Sequence, residues 1–428
     1  MIADINSGIE LILPPIELLG DLTKQSDVSG LFGWLKSNIT NSDAVVLSLD
    51  TIAYGGLIPS RRSKETFEEI KKRIEDLKEI IQKSCAEIYA FSSVMRISNN
   101  NINEEEKEYW NLYGEKIFEY SYNLDKFGSA VTDVPKEILE DYLNTRKRNF
   151  EINKEYLNWQ KEGILSTLIF SKDDCAEFGL NVKEARELEH LGGHMKTGAD
   201  EIPLTLLAGA VKGEVKVHPV FLEPDSKNLI SNYEDVSIEE SVKGQLELAG
   251  CKISDYGTAD VILYVNNFDK YQGEIVMKKT TKMFDKIWIP PEKPYILADV
   301  RFANGADNNF VSQILEKGIN ENFYGYSAWN TSANTLGSLI CAMKFIVSSK
   351  RLGKFNEKAF KNLQIIRFLD DWAYQANVRQ KLVEPDYKIV KNLMQEYENM
   401  VRKYMQTDFE VGYSFPWGRL FEVKIELN

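Results

Sequence analysis

Five carboxylates stand at positions where an acid–base pair could operate. Asp50 follows the apolar run VVLSL, Asp299 follows YILA, Asp307 lies in NGADNNF, and Asp200 and Glu201 lie in TGADEIP. Two carboxyl groups in different surroundings can have different pKa values, and glycoside cleavage uses such a pair. A structural alternative is open for each of them, because an acidic residue at the start of a helix accepts backbone N–H bonds and complements the helix dipole.

A second group of residues is suited to binding sugar hydroxyls. The run YGYSAWNTSANTLG (324–337) places an indole and two carboxamides where a strand gives way to a helix. An indole covers the apolar face of a sugar, and carboxamides bind its hydroxyls. Alternatively, Thr331 or Ser332 caps the helix and the indole packs in the core. The substrate-binding candidates are Tyr54, Arg61, Arg96, Asn266, Asn304, Trp329, Asn330 and Asn334.

The basic and histidine residues leave two readings open. Arg61 and Arg96 could hold an anionic group of a substrate or pair with carboxylates of the chain itself. His190 and His194 in HLGGH are four residues apart, but Gly192 and Gly193 interrupt any shared helix face. No cofactor is predicted, since no Gly-rich phosphate loop is present; a divalent metal held by His and Asp remains possible.

The elements that must position these residues alternate between strands and helices. Strands are predicted at DAVVLSLD, EIYAFSSVMR, STLIFSKDD, VKVHPVF, ADVILYVNN, YILADV and FYGYSAW, with helices between them. Such alternation favours parallel sheets covered by helices. Since ligands bind beyond the carboxyl ends of parallel strands, the polar residues after each strand are expected to gather there.

We predict an α/β fold with two doubly wound, Rossmann- or flavodoxin-like lobes, a cleft between them and a helical cap. The alternative is a (β/α)8 barrel, which the short edge strands GIELILPP (8–15) and CKIS disfavour. The predicted domains are residues 1–213 with a helical insertion at about 100–160, residues 214–350, and a helical tail at 351–428 that packs back on the lobes.

Composition limits the partners. The formal charge of −13, without basic clusters, disfavours nucleic acid. The four cysteines form no CxxC pair, and no apolar run is long enough to span a membrane. The N-terminus has no signal-peptide pattern. We therefore expect a cytoplasmic protein that binds a small molecule, with no membrane partner; the oligomeric state is not predicted.

Several longer motifs resemble one known family. They are LILPPIELLG, SLDTIAYGGLIPSR, YAFSSVMR, GADE, ADVRFANGAD, YGYSAWNTSANTLG, DDWAYQANVRQ and PWGRLFE, and together they resemble the bacterial domain-of-unknown-function family DUF4127. Members of that family usually begin with a strand that carries a Pro-Leu-Asp-x-Arg-Pro motif, which this sequence lacks. The resemblance implies a chain that starts inside its first α/β unit, and an association with sugar uptake and degradation.

Our leading hypothesis is a carbohydrate-active hydrolase of the glycosidase type. Asp50, Asp200, Glu201, Asp299 and Asp307 are its candidate acid, base or nucleophile. A metal-dependent hydrolase or amidase that uses Asp and His194 as ligands is the first alternative. The second is a non-catalytic sugar-binding or regulatory protein.

Overall fold

Parallel sheets form the centre of each of the two units into which the chain divides. A computed structural model describes residues 1–21, 24–172, 176–317 and 319–427. One unit comprises Ile12–Leu206, and the other comprises Met1–Leu11 together with Leu207–Asn428. The boundary between them falls within helix α8 (Ile202–Ala210).

The unit Ile12–Leu206 contains a four-stranded parallel sheet in the order β1-β2-β3-β4. Its strands are β1 (Ala44–Ser48), β2 (Glu87–Ser93), β3 (Thr167–Lys172) and β4 (His194–Thr197). Its other helices are α1 (Val28–Asn38), α2 (Leu49–Tyr54), α3 (Leu57–Arg62), α4 (Phe67–Gln82), α5 (Trp110–Phe127), α6 (Lys136–Lys161) and α7 (Leu180–His190).

Helix α4 shows how the sequence defines these elements. Thr66 and Glu69 form a capping box, in which each side chain binds the backbone N–H of the other residue. Ile70, Ile74 and Leu77 recur at helical spacing and are fully or almost fully buried in the core of this unit. The periodicity therefore predicts both the helix and its buried face.

Two local predictions in this unit are wrong. Residues 8–15 form no strand, because β1 pairs only with β2, and Pro14 and Pro15 lack the N–H group that a strand ladder needs. Strand β4 was not predicted, since its four residues HMKT lack an apolar run. Helix α7 ends at His190 and His194 begins β4, so these histidines share no helix face.

The unit containing Leu207–Asn428 has a five-stranded parallel sheet in the order β11-β9-β7-β5-β6. In chain order this corresponds to 2-1-3-4-5, the flavodoxin-like arrangement. Its strands are β5 (Val215–Phe221), β6 (Cys251–Ile253), β7 (Val261–Asn266), β9 (Tyr295–Asp299) and β11 (Phe323–Ser327). The short strands β8 (Gly273–Glu274) and β10 (Phe302–Ala303) pair in parallel beyond this sheet.

Helices and a closing hairpin complete this unit. The 11-residue π-helix Phe368–Val378 is unusual, since π-helices are rare and occur frequently at functional sites. Strands β12 (Val411–Ser414) and β13 (Lys424–Leu427) form an antiparallel hairpin that the sequence did not predict. The α-helices are α9 (Ile238–Leu248), α10 (Asn308–Lys317), α11 (Ser332–Leu352), α12 (Glu357–Arg367) and α13 (Tyr387–Met405).

The predicted α/β fold with two parallel sheets is confirmed. The barrel alternative is wrong, because no sheet of the described residues closes, and β6 and β11 are the edges of the larger one. CKIS is an edge strand, as predicted. Within the described ranges no helix is long and apolar enough to cross a membrane.

Candidate functional site

The corner between β11 and α11 carries the polar run of the YGYSAWNTSANTLG motif. Thr331 caps α11, and its hydroxyl accepts a hydrogen bond from the backbone N–H of Asn334 at 3.3 Å. The predicted cap is therefore confirmed. Trp329 does not pack fully in the core: its side chain is partly exposed, and the Arg367 guanidinium lies 5.7 Å from its ring centroid.

Several polar groups at this corner have no hydrogen-bond partner among the described residues. These groups are the indole N–H of Trp329 and the carboxamides of Asn330 and Asn334. The side-chain oxygen of Asn304 also lacks a partner, although only 8% of this residue is exposed. Buried polar atoms are normally hydrogen-bonded, so the Asn304 oxygen is the exception here, whereas the side chains of Trp329 and Asn330 are partly exposed and can bind water.

Unusual backbone conformations concentrate in the same region. The backbone N–H of Asn304 donates to the carbonyl of Asn330 at 2.8 Å, and both residues are left-handed, with φ of 60° and 56°. Asn304 also donates from its side chain to Glu274 at 2.6 Å. Two further residues of the same unit are left-handed. Tyr233, between β5 and α9, has φ of 68°, and Lys278, between β8 and β9, has φ of 55°. Strained non-glycine residues of this kind cluster at functional sites.

Glu234 is a carboxylate that contacts the β11–α11 corner. Its Oε1 accepts a hydrogen bond from the backbone N–H of Ala333 at 2.8 Å, in the first turn of α11. Its Oε2 is buried and has no hydrogen-bond partner in the described part of the chain. Burial raises the pKa of Glu234 to about 7, against the lowering effect of the Ala333 N–H. Sequence reasoning missed Glu234, because it lies in the irregular segment SNYEDV with no strand directly before it.

Asp299, Asp307 and Asn266 are brought together at the ends of β7 and β9. Asp299 accepts hydrogen bonds from the Asn266 side chain and the Asp307 backbone, both at 2.8 Å, and from the Tyr326 hydroxyl at 3.3 Å. Asp307 caps α10 through the backbone N–H groups of Asn309 and Phe310 and also binds the Phe284 N–H at 2.6 Å. Both carboxylates are at most 1% exposed.

Arg301 holds this buried network together. Its guanidinium donates to Asn266 at 3.0 Å and to Glu223 at 3.0 Å, and it lies 3.4 Å from Asp307. Burial, and then the charge of Asp307, raise the pKa of Asp299 to about 7. Every oxygen of the two aspartates is occupied, so the arrangement fixes the loops after β7 and β9. Arg301 was missed, although it directly follows the predicted strand YILADV.

Asp50 lies at the strand ends of the other unit. It accepts hydrogen bonds from the Ser93 N–H at 2.8 Å and from the Ser92 hydroxyl at 3.3 Å, which ties α2 to the end of β2. Burial raises the pKa of Asp50 to about 6. Tyr54 is also buried, with the Arg148 guanidinium 5.3 Å from its ring centroid.

The structure favours internal pairing for the arginines of this unit. Arg61 lies 2.9 Å from Glu106, and both side chains are buried. Arg96 contacts Glu106 at 3.2 Å and Glu105 at 2.8 Å. Arg62 binds backbone carbonyls of the same 103–106 segment. These side chains therefore hold the segment after β2 in place.

Asp200 and Glu201 precede helix α8 and differ in exposure. Asp200 is exposed, whereas Glu201 is fully buried. The Glu201 carboxylate lies against Gly198, whose φ of 95° favours glycine. This proximity leaves no room for a side chain at Gly198, so the GAD turn is shaped around Glu201.

The remaining predictions concern metals and cavities. Among the described residues no group of three His, Cys, Asp or Glu side chains could hold a metal; Asp173 and Asp174, after β3, lie outside those residues. A groove of about 840 Å³ runs between α1 and α4 and is lined by charges of both signs. None of the predicted site residues lines it.

The structure thus gathers Asn304, Trp329, Asn330 and Asn334 around one corner, above the buried network of Asp299 and Asp307. No curated protein and no solved structure matches the chain. A family model described as "Protein of unknown function (DUF4127)" matches residues 1–426. The chain therefore belongs to the DUF4127 family, as its motifs predicted.

Proposed function

We propose that the chain is a carbohydrate-active hydrolase of the glycosidase type, with its site at the β11–α11 corner. The observation that carries the proposal is Glu234, a buried carboxyl group with one oxygen held by the Ala333 N–H and the other without a partner among the described residues. Its bond to Ala333 attaches it to the first turn of α11, the helix that also carries Asn334.

Glu234 has the properties of a general acid. With a pKa of about 7 it is substantially protonated at neutral pH, and an acid is most effective when its pKa lies near the working pH. The Ala333 N–H fixes Oε1, so the proton resides on Oε2. In the proposed step this proton passes to the glycosidic oxygen as the bond to the anomeric carbon breaks.

Glu274 is the proposed second carboxylate. Its Oε1 accepts a hydrogen bond from Asn304, and its Oε2 is held by the backbone N–H of Met277. When a sugar hydroxyl takes the Asn304 amide from Oε1, that oxygen would be free to attack the anomeric carbon or to remove a proton from the attacking water. Asn304 and Asn330 would hold the hydroxyls of the sugar, while Trp329 covers an apolar face.

The aspartates predicted from sequence have supporting roles in this proposal. Asp50, Asp299 and Asp307 are buried, and hydrogen bonds occupy their oxygens. Removing them would displace loops instead of removing a reacting group. Their sequence-based assignment as acid or base therefore stays a prediction, which the asparagine variant of each aspartate would test in the assay below.

The test is hydrolysis of a panel of nitrophenyl glycosides by the wild type and by Glu234→Gln and Glu274→Gln. Loss of a general acid is expected to lower kcat by about 10²- to 10⁴-fold, and less for dinitrophenyl leaving groups, which need no protonation. Glu247→Gln, an exposed change on α9, is the matched control. Full activity of the folded Glu234→Gln variant would overturn the proposal.

A non-catalytic sugar-binding protein is the second candidate. The observation that favours it is that most unbonded groups at the corner are carboxamides and an indole, which bind sugars but transfer no protons. This candidate predicts that sugars raise the melting temperature of the wild type but not of Asn330→Ala. It also predicts that no glycoside is turned over. The described residues give no support to the metal-dependent alternative.

A further inference from the structure

Arg379 is a charged side chain that has no ion-pair partner among the described residues. It lies directly after the π-helix and is partly exposed. Its guanidinium donates to the side-chain oxygen of Gln375 at 3.0 Å and lies 4.4 Å from the ring centroid of Phe421. It forms no ion pair with any described carboxylate. Apolar and amide contacts thus position the guanidinium while leaving most of its donors unused.

Other arginines of this unit differ in that respect. Arg367 lies 3.2 Å from Asp371, Arg402 lies 2.9 Å from Glu398, and the Arg419 fork binds Glu422. An arginine without a carboxylate partner is therefore an exception among its neighbours.

Glu274 and Glu422 act electrostatically on Arg379 without forming an ion pair with it among the described residues. Burial lowers its pKa, and the positive charge of Arg419 acts in the same direction. Glu274 and Glu422 oppose this effect but are engaged elsewhere, the first by Asn304 and the second by Arg419. A negatively charged ligand would supply the missing partner.

The location of Arg379 relates it to the proposed site. Glu274, which acts electrostatically on Arg379, is hydrogen-bonded to Asn304. The π-helix that precedes Arg379 also packs against the Asn304 loop, because a Cβ atom on Gly305 would lie 3.1 Å from the backbone nitrogen of Ala376. Both observations relate Arg379 to the loop whose Asn304 oxygen has no partner: Glu274 links the two through its charge, and the π-helix links them through its packing.

We propose that Arg379 binds an oxyanion substituent of the substrate, so that the substrate class is a sugar carrying a carboxylate or a phosphate. A guanidinium fork matches either group with two parallel hydrogen bonds. The inference rests on the proposed function, because it places the anionic substituent of the same sugar that the β11–α11 corner holds.

The test is calorimetric titration with glucuronate, glucose 6-phosphate, inorganic phosphate and glucose. We expect glucuronate or glucose 6-phosphate to bind the wild type at least tenfold more tightly than glucose. Arg379→Gln should remove that advantage, with a loss of about 10- to 100-fold, and Arg379→Lys should retain part of it. Arg351→Gln, which removes an exposed arginine at the end of α11, is the matched control and should change nothing.

The ligands distinguish the sources of the oxyanion. Preference for glucuronate indicates a uronic acid, and preference for glucose 6-phosphate or for inorganic phosphate indicates a phosphorylated sugar. Equal affinity of the wild type for glucose and both acidic sugars, absence of binding by every anion, or unchanged acidic-sugar affinity in Arg379→Gln would overturn the inference.

The design also separates this inference from the proposed function. Acidic sugars that bind through Arg379 but are never cleaved as glycosides would leave the oxyanion site standing and refute the hydrolase. Cleavage of a nitrophenyl glucuronide that depends on Glu234 but is unaffected in Arg379→Gln would support the hydrolase and refute the oxyanion site.

Discussion

The backbone N–H of Asn304 donates a 2.8 Å hydrogen bond to the carbonyl of Asn330, and both residues are left-handed. Such a conformation costs most non-glycine residues about 1 kcal/mol or more, but asparagine adopts it more readily than other side chains do. The two loops are therefore held together by a bond between two residues that tolerate this backbone. Glycine would be accommodated equally well at either position, so the backbone alone does not require the carboxamides.

Asn330→Gly and Asn330→Ala should separate strain from function. We expect the glycine variant to keep the free energy of unfolding within about 0.5 kcal/mol of the wild type, because glycine adopts φ of 56° freely, and the alanine variant to lose about 1 kcal/mol. Both should lose sugar binding, since both lack the carboxamide. Urea unfolding and calorimetry measure the two effects.

Gln406→Gly is the matched control for these variants. Gln406 is also left-handed, with φ of 48°, but it is exposed and lies at the end of helix α13. It should be stabilised by glycine without any change in binding. A glycine variant of Asn330 that unfolds as easily as the alanine variant would show that the carboxamide has a structural role.

Glu234→Gln should change how stability depends on pH. The pKa of Glu234 rises from 4.5 to about 7 on folding, so its stabilising contribution is complete below about pH 4.5 and is lost as the pH rises through 7. Glutamine does not ionise and can still accept the Ala333 N–H. We therefore expect the variant to exceed the wild type at pH 8.5 by on the order of 1 to 3 kcal/mol.

Denaturant unfolding at pH 4 and pH 8.5 measures this difference. At pH 4 the two proteins should agree closely, because Glu234 is mostly protonated in both the folded and the unfolded wild type. Glu247→Gln, on the exposed face of α9, should show no such dependence. Parallel pH profiles for the wild type and Glu234→Gln would mean that Glu234 ionises at its ordinary pKa, and the general-acid assignment would fail with it.

The buried pair Arg61 and Glu106 should be strongly coupled. Removing one partner leaves a buried charge, although Arg96 still contacts Glu106, so Arg61→Met is expected to cost about 3 kcal/mol. A double-mutant cycle with Glu106→Gln should give a coupling free energy of about 1 to 3 kcal/mol.

The exposed pair Lys83 and Glu79 is the control for that cycle. These side chains are 77% and 70% exposed, and their coupling should not exceed about 0.5 kcal/mol. Urea unfolding of the four variants of each cycle provides the measurement. A negligible coupling between Arg61 and Glu106, together with weakened ligand binding in Arg61→Met, would instead support the prediction that Arg61 binds the substrate.

The sequence predicted what depends on local pattern. Strands such as Val261–Asn266 and Tyr295–Asp299 are continuous apolar runs, and the parallel order then brings Asn266 beside Asp299. The corner of Trp329, Asn330 and Asn334 could be identified for the same reason, because it directly follows a recognisable strand. Helix capping by Thr331 is likewise a local property.

The sequence could not predict contacts made by irregular segments. Glu234 accepts a hydrogen bond from Ala333, which lies 99 positions further along the chain. Arg61 binds Glu106, which lies in a loop without a recognisable sequence pattern. The spacing of apolar residues in the π-helix does not differ visibly from the spacing in an α-helix, so the sequence does not reveal it. Residues 8–15 have the composition of a strand but no neighbour with which to pair. In each case a distant part of the chain decides the outcome.

Gly305→Ala tests whether the π-helix positions the site. Gly305 has φ of 149°, and a Cβ atom there would lie 3.1 Å from the Ala376 nitrogen and 3.1 Å from Cγ1 of Ile275. Backbone atoms cannot move aside cheaply, so we expect a loss of about 2 to 4 kcal/mol in the free energy of unfolding. The π-helix would shift, and Arg379 with it, so glucuronate affinity should also fall, by tenfold or more, at a temperature where the variant is folded.

Gly128→Ala supplies the matched control, because Gly128 has φ of 75° at the end of α5 but nothing within 4 Å of an added Cβ atom. It should cost only the backbone strain, about 1 kcal/mol, and leave glucuronate affinity unchanged. Equal costs for the two variants would mean that the Gly305 loop and the π-helix separate easily. Unchanged affinity in Gly305→Ala would mean that Arg379 reaches its ligand independently of that packing.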